Sequence, residues 1–294
     1  MIENHLRPKM EAPPHPPYHQ GEYLEEYFYS FYLNNKNEFD KTGYSLIPIF
    51  WSNITYNVYV RHTDQAIIIN RIQTYLATLP AAKYFAVSRH DNAPFVNLPD
   101  GTVSFAAGGN TGGIPLPLIC SPIPVLDVER EKDIFCSFVG SNTHSIRETL
   151  FRYCMHDSVF HIKHKEWSID VSDTELMYFI DITTRSKFSL CPRGAAPTSF
   201  RMYEILQLNS IPVIVYDKKW LPFEDVIDYA SFCVLVHEKE IPYLKNILNN
   251  ISDNQQCKML QKGKEVYAKY FTLEGMCNQI LQILEAAHHS KKIK

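Results

Sequence analysis

Apolar runs of four to six residues recur along this chain with helix-length amphipathic segments between them, and few folds tolerate that alternation. A short run that is apolar throughout suits a strand covered on both faces, as in a parallel sheet whose crossovers are helices. From residue 134 onward the order reads strand IFCSFVG, helix SIRETLFRYC, strand VFHIKH, helix DTELMYFIDITTRS, strand KFSLCP, helix SFRMYEILQLN, strand IPVIVY, then FCVLV. The earlier part alternates more loosely. It offers an aromatic helix YLEEYFYSFYLNN, a strand YSLIPIFW, a helix RIQTYLATLP ended by Pro80, and a strand KYFAVS that runs directly into Arg89, His90 and Asp91. Both parts are therefore expected to be α/β, with ligands bound beyond the carboxyl ends of the strands, in a cleft between the two sheets.

Proline and glycine punctuate this pattern. Pro8, Pro13, Pro14, Pro16 and Pro17 make residues 1–20 an arm that forms neither helix nor sheet interior. The stretch AAGGNTGGIPLPLICSPIP, Ala106 to Pro124, cannot be regular over its length and marks a border, with GGNTGG reading as a hinge. The expected division is an N-terminal α/β domain at 21–125, a C-terminal α/β domain at 126–275, and a closing helix with a basic tail at 276–294.

Composition excludes several functions. Lys plus Arg number 29 against 32 Asp plus Glu, so a net charge of -3 supplies no global field for nucleic acid or an anionic membrane. Seven cysteines without a CxxC speak against a disulfide framework and a zinc ribbon. With no apolar leader and no membrane-length apolar run, the expectation is a soluble, cytoplasmic protein without a transmembrane segment. GGNTGG is not a dinucleotide fingerprint after a strand, and no GxxxxGK[ST] occurs, so dehydrogenase and P-loop readings are weak.

The stretch CPRGAAPTSFRMYEILQLNSIPVIV, Cys191 to Val215, places Arg193, Arg201 and Glu204 around a helix start between two strands. Thr198 or Ser199 can cap that helix, whose unpaired N–H groups and partial positive charge suit an anion. Arg193 and Arg201 reach toward the same anion, and Glu204 follows one turn on, where an acid accepts hydrogen bonds from ribose hydroxyls. The bland alternative is an ordinary intrahelical Arg201–Glu204 pair with Arg193 solvated. Spacing alone leaves both open.

These residues also carry a resemblance. SKFSLCPRGAAPTSFRMYEILQLNSIPVIVYDKKWLPFEDVIDYASFCVLV resembles the signature region of exostosin-like glycosyltransferases from about Tyr178 to Val236. Weaker similarity extends to FVGSNTHSIRETLF, with Gly140 and Arg147 at matching places, and to KYFAVSRHDNAP. The resemblance implies a GT-B-like architecture of two Rossmann-like domains facing across a cleft, and inverting transfer from a UDP-sugar, with a slight lean to UDP-xylose, to a hydroxyl of a glycan acceptor. It implies that Arg193 and Arg201 hold the diphosphate, Glu204 the ribose, and Arg147 a further part of the anion. The alternative is a catalytically inactive partner that binds sugar nucleotide or glycan.

The remaining candidates are weighed on chemistry. Asp91, then His90, would deprotonate the acceptor hydroxyl from the N-terminal side; the competing reading is a loop Asp beside a surface His. Asp217, Trp220 and Glu224 follow a strand at its cleft end and are candidates to touch the donor sugar, although Trp220 equally suits a core edge. His161 and His164 alternate across a strand and read as structural. No Asp-x-Asp occurs, and the nearest substitute is Asp127-Val128-Glu129, so neither metal nor cofactor is expected.

Overall fold

The computed structural model describes residues 3–9, 24–55, 64–123, 130–168 and 171–290. Most of the proline-rich arm and Asp127 to Glu129 lie outside the described residues, but the arm is not free of helix as expected: Glu3–Leu6 form a short helical turn ahead of its first proline, and Leu6 packs into the core beside Ile47, Ile49 and Trp51. The N-terminal part runs α1 (Leu24–Asn34), α2 (Lys36–Thr42), β1 (Tyr44–Leu46), α3 (Gln65–Ala77), β2 (Lys83–Ser88), β3 (Val103–Ala106) and β4 (Ile114–Pro115). Its four strands are all parallel, in the order β1-β2-β3-β4. Helix α2 stops at Gly43, whose φ of +72° costs a residue without Cβ little. Helix α3 starts at Asp64, whose carboxylate accepts from the Ala66 N–H at 2.8 Å.

The strand expected over YSLIPIFW pairs only at Tyr44–Leu46. Pro48 has no N–H for the ladder, so the chain leaves the sheet there and turns Ile49 and Trp51 into the core. The aromatic pattern of α1 is explained by its partners. Phe28 meets Phe39 and Phe85 edge-on at 5.9 Å each, while those two rings stack at 5.7 Å.

The C-terminal part runs β5 (Ile134–Gly140), α4 (Ser145–Cys154), β6 (Phe160–His164), α5 (Asp173–Arg185), β7 (Ser186–Pro192), α6 (Arg201–Gln207), β8 (Ile211–Tyr216), β9 (Val234–His237), α7 (Leu244–Asn249), α8 (Asp253–Tyr270) and α9 (Leu273–Ser290). Its five strands are parallel, in the order β6-β5-β7-β8-β9. Helix α5 opens with a reciprocal capping box in which the Ser172 hydroxyl and the Glu175 carboxylate each take a backbone N–H. The fold is thus α/β and GT-B-like: two parallel sheets whose strand ends face one cleft. All seven cysteines are free thiols.

The two parts are less separate than the sequence suggests. One core cluster joins Phe28, Phe85 and Phe105 to Tyr203, Ile205 and Phe232 and to Met276, Ile280 and Leu284 of α9. Helix α9 returns across the N-terminal part and packs on α1 and α2. The stretch Ala106 to Pro124 contributes β4 to the first sheet, and then its backbone at Ile123 donates to the Gln207 side chain of α6 at 2.8 Å. Among the described residues no helix is long and apolar enough to cross a membrane.

Candidate active-site cleft

The side chains singled out above lie just past the carboxyl ends of strands. β2 delivers Arg89, His90 and Asp91; β5 delivers Ser141 and Thr143; β6 delivers Lys165 and Trp167; the loop after β7 delivers Thr198 and Ser199; and the first turn of α6 delivers Arg201 and Glu204. Together they line one cavity of about 560 Å³ between the sheets.

On the side of the second sheet, Arg201 is held in three ways. Its Nη2 donates to the Val139 carbonyl at 2.9 Å, its Nη1 lies 3.1 Å from Glu204 Oε2, and its guanidinium sits 4.0 Å above the Phe179 ring. The intrahelical Arg201–Glu204 pair therefore forms, and both members still line the cavity. Neither Thr198 nor Ser199 caps α6 as expected: the residue before the helix is Phe200, already in the helical region and without a side-chain cap, while the Ser199 hydroxyl accepts the Arg201 N–H at 3.3 Å and the Thr198 carbonyl takes the Gly194 N–H at 3.0 Å.

Arg147 is a staple between strand ends. It donates to the carbonyls of Ser141 (2.9 Å), Arg193 (3.0 Å) and Pro192 (3.2 Å), tying the turn after β5 to the turn after β7. Burial and then the like charge of Arg201 pull its pKa down to about 10, so it stays a cation at neutral pH.

Arg193 lies off the cavity. Its guanidinium donates to both Asp217 oxygens at 2.9 and 3.0 Å and to the Ala195 and Ala196 carbonyls, which shapes the loop rather than facing the cleft. Asp217 is thereby occupied by Arg193. Trp220 is 8% exposed and lies against Gly109, and exposed Glu224 sits 3.7 Å from Lys219, so neither borders the cavity.

On the opposite side, His90 and Asp91 are partly buried and carry the shifts expected of desolvated groups. Burial, then the neighbouring Arg89 charge, lowers the His90 pKa to about 4, which leaves a neutral imidazole whose Nδ1 accepts the Asn92 N–H at 3.2 Å. Burial raises the Asp91 pKa, against a downward pull from Arg89 and Arg193. Beneath them Glu25 of α1, wholly buried, accepts from the Arg89 N–H (2.8 Å), the Ser52 hydroxyl (2.9 Å) and the Ser52 N–H (3.0 Å). Desolvation raises its pKa to about 7 in spite of those donors.

Several lining residues gave no warning in the sequence. Leu176 and Phe179 of α5 and Trp167, in the loop after β6, form one wall with Lys165, which bonds Glu175 at 3.0 Å. The usable signal was position: Trp167 follows a strand end and stays 63% exposed. Among the described residues no cluster that could hold a metal includes either histidine of β6: His161 bonds the Tyr178 hydroxyl at 2.8 Å, and the His164 ring meets Phe151 edge-on at 5.0 Å.

Comparison with known proteins supplies the lineage. A probable glycosyltransferase of Arabidopsis thaliana is 26% identical over 255 residues, which is 78% of this chain and 49% of the relative. A probable beta-1,4-xylosyltransferase of the same plant is 40% identical over 82 residues, 28% of this chain and 20% of the relative. A probable glucuronosyltransferase of Oryza sativa subsp. japonica is 38% identical over 82 residues, again 28% and 20%. The chain spans about half the length, or less, of these curated relatives. Among solved structures, the crystal structure of TarM aligns with 68% of this chain and 54% of its own at a TM-score of 0.39 and 11% identity. Residues 104–251 match the exostosin GT47 domain, from β3 through the whole Arg201 and Glu204 site, and the chain belongs to that family.

Proposed function

We propose that the protein is a glycosyltransferase that moves a sugar from a UDP-sugar to a hydroxyl of a glycan acceptor, with inversion at the anomeric carbon. The observation that carries this reading is the single cavity that opposes Asp91 and His90 to Arg201 and Glu204. In that cavity the diphosphate lies against Arg201, the ribose against Glu204, and the base along the wall of Leu176, Phe179 and Trp167. The donor sugar then points toward the end of β2. Asp91 takes the proton of the acceptor hydroxyl as its oxygen attacks the anomeric carbon, and the bond from that carbon to the diphosphate breaks. The raised pKa of Asp91 makes its carboxylate a stronger base than an ordinary aspartate, whereas a histidine held near 4 is a weak one, so Asp91 is the preferred base. UDP leaves with its new charge facing the fixed charges of Arg201 and Arg147, which need no metal.

UDP-xylose heads the donor screen, followed by UDP-glucuronate. Purified protein is incubated with each UDP-sugar, with and without a panel of glycans, and released UDP and glycosylated product are measured. Acceptor-dependent UDP release with product of inverted configuration is the expected result. UDP binding without transfer across the panel would instead identify a sugar-nucleotide-binding partner of another transferase.

A further inference from the structure

The glycine cluster between β3 and β4 does not line the cleft cavity, yet three of its members sit where no side chain fits: Gly113, whose Cβ would stand 2.7 Å from the Ser104 carbonyl of its own sheet, and the consecutive pair Gly108 and Gly109. A Cβ on Gly108 would stand 2.3 Å from Asp91 Cα and 2.6 Å from Asp91 N. A Cβ on Gly109 would stand 2.4 Å from Trp220 Cε2 and 2.7 Å from Cδ2 and Cζ2. These distances are far inside van der Waals contact, so consecutive glycines are clamped between the acceptor-side loop and an indole of the nucleotide side.

The clamp is fastened differently on its two faces. Toward β2, Asn110 N–H donates to the Asp91 carbonyl at 3.0 Å, Asn110 Nδ2 to Asn92 Oδ1 at 3.0 Å, and the Thr111 hydroxyl to the Ala93 carbonyl at 2.6 Å. Toward β8 the contact is packing on Trp220, three residues after the Asp217 that holds Arg193. The Arg193 charge already reaches the Asp91 carboxyl across this junction.

We infer that Gly108 and Gly109 are positioning residues, a spacer one bare backbone thick that fixes the separation of Asp91 from the nucleotide-side loops. Its consequence for turnover rests on the glycosyltransferase reading; its consequence for cleft width does not. The stretch that reads as a hinge in the sequence is on this account a rigid shim.

The molecule contains its own control. Gly109 and Gly112 have nearly equal φ values, +87° and +82°, but nothing lies within 4 Å of a Cβ on Gly112. Gly112→Ala therefore adds left-handed strain alone, and Gly109→Ala adds the same strain plus the overlap with Trp220. Gly109→Ala should lower kcat by about 100-fold or more while UDP affinity stays within about twofold, and Gly112→Ala should change kcat by less than about fivefold. Gly109→Ala combined with Trp220→Ala should regain at least about tenfold over Gly109→Ala, because the methyl side chain carries none of the indole atoms in the overlap. Equal losses in the two alanine variants, or no recovery in the double variant, overturn the spacer. If Gly109→Ala is too unstable to assay, the double variant decides the matter: restored cooperative unfolding supports the spacer, and its absence overturns it.

A second arm is independent of activity. Spin labels at Ile67→Cys and Tyr153→Cys in a Cys257→Ser background report the separation of the two parts. Gly109→Ala should lengthen their mean distance and Gly112→Ala should not. If the wild type transfers no sugar, the glycosyltransferase reading fails while this distance still judges the spacer, and an unchanged distance in Gly109→Ala overturns it.

Discussion

The two lips of the cleft are built on opposite electrostatic plans. The nucleotide-side lip holds arginines with engaged donors, Arg147 on three carbonyls and Arg201 on Val139 and Glu204, while Arg193, off the cavity, ties the loop behind them to Asp217 and the Ala195 carbonyl. The acceptor-side lip holds His90, Asp91 and, beneath them, Glu25, all displaced by burial from their ordinary ranges. One lip presents guanidinium groups held by carbonyls and a carboxylate; the other presents a histidine and two acids that burial has shifted. Fixed charge suits a departing diphosphate, and labile protons suit the activation of a hydroxyl.

The contrast makes separable predictions. Asp91→Asn should lower kcat by about 100-fold or more with UDP affinity unchanged, because it removes the proton acceptor and leaves the arginines in place. Near-normal turnover in that variant, with loss in His90→Ala, would move the base to the imidazole. Arg201→Ala should do the reverse and weaken UDP binding by about 1.5 to 3 kcal/mol, read by calorimetry. Arg193→Ala should weaken UDP less than Arg201→Ala, since Arg193 acts through the loop it ties; an equal or greater loss would show that its guanidinium reaches the anion.

Glu25 gives the next effect, on stability. Its unfolded pKa is near 4.5 and its folded pKa about 7, so between those values the folded state binds the extra proton and stability falls as pH rises. Glu25→Gln removes that slope. The stability difference between variant and wild type should move in the variant's favour by up to about 3 kcal/mol from pH 4.5 to 7, as measured by urea unfolding. A difference that does not vary with pH would place Glu25 in an ordinary range. The smallest expected effect is none at all: exhaustive chelation should leave transfer unchanged, since the leaving charge faces arginines. Activity lost to chelator and restored by magnesium or manganese would sink that account of the nucleotide-side lip.

The same contrast governs what could be read from the sequence. The nucleotide side was legible because its parts are consecutive: a strand, a loop and a helix start from Ser186 to Gln207 carry Arg201 and Glu204 in one local unit. The acceptor side was legible only at His90 and Asp91, which directly follow a strand. Glu25 sits 64 positions from the Arg89 amide it accepts, and no local pattern distinguishes it from Glu26. Periodicity placed Phe179 on a buried helix face without telling core from cavity wall. Composition marked the 108–113 glycines as a hinge, because freedom of backbone and closeness of approach call for the same residue. The Pro48 break was visible, but the apolar run around it masked the end of β1.

The return of α9 over the N-terminal part also orders events in time. The eighteen residues Leu273–Ser290 complete a core whose first members, Leu24 and Phe28, are made some 250 residues earlier. On the ribosome, then, the acceptor side cannot close its apolar surface until α9 has emerged, although its own strands are made well before that helix. While that face waits it is exposed to wrong partners. The nucleotide sheet, whose strands and helices follow one another closely in the chain, carries its own core and is free to form meanwhile. Birth order and folding order are thus reversed between the two halves.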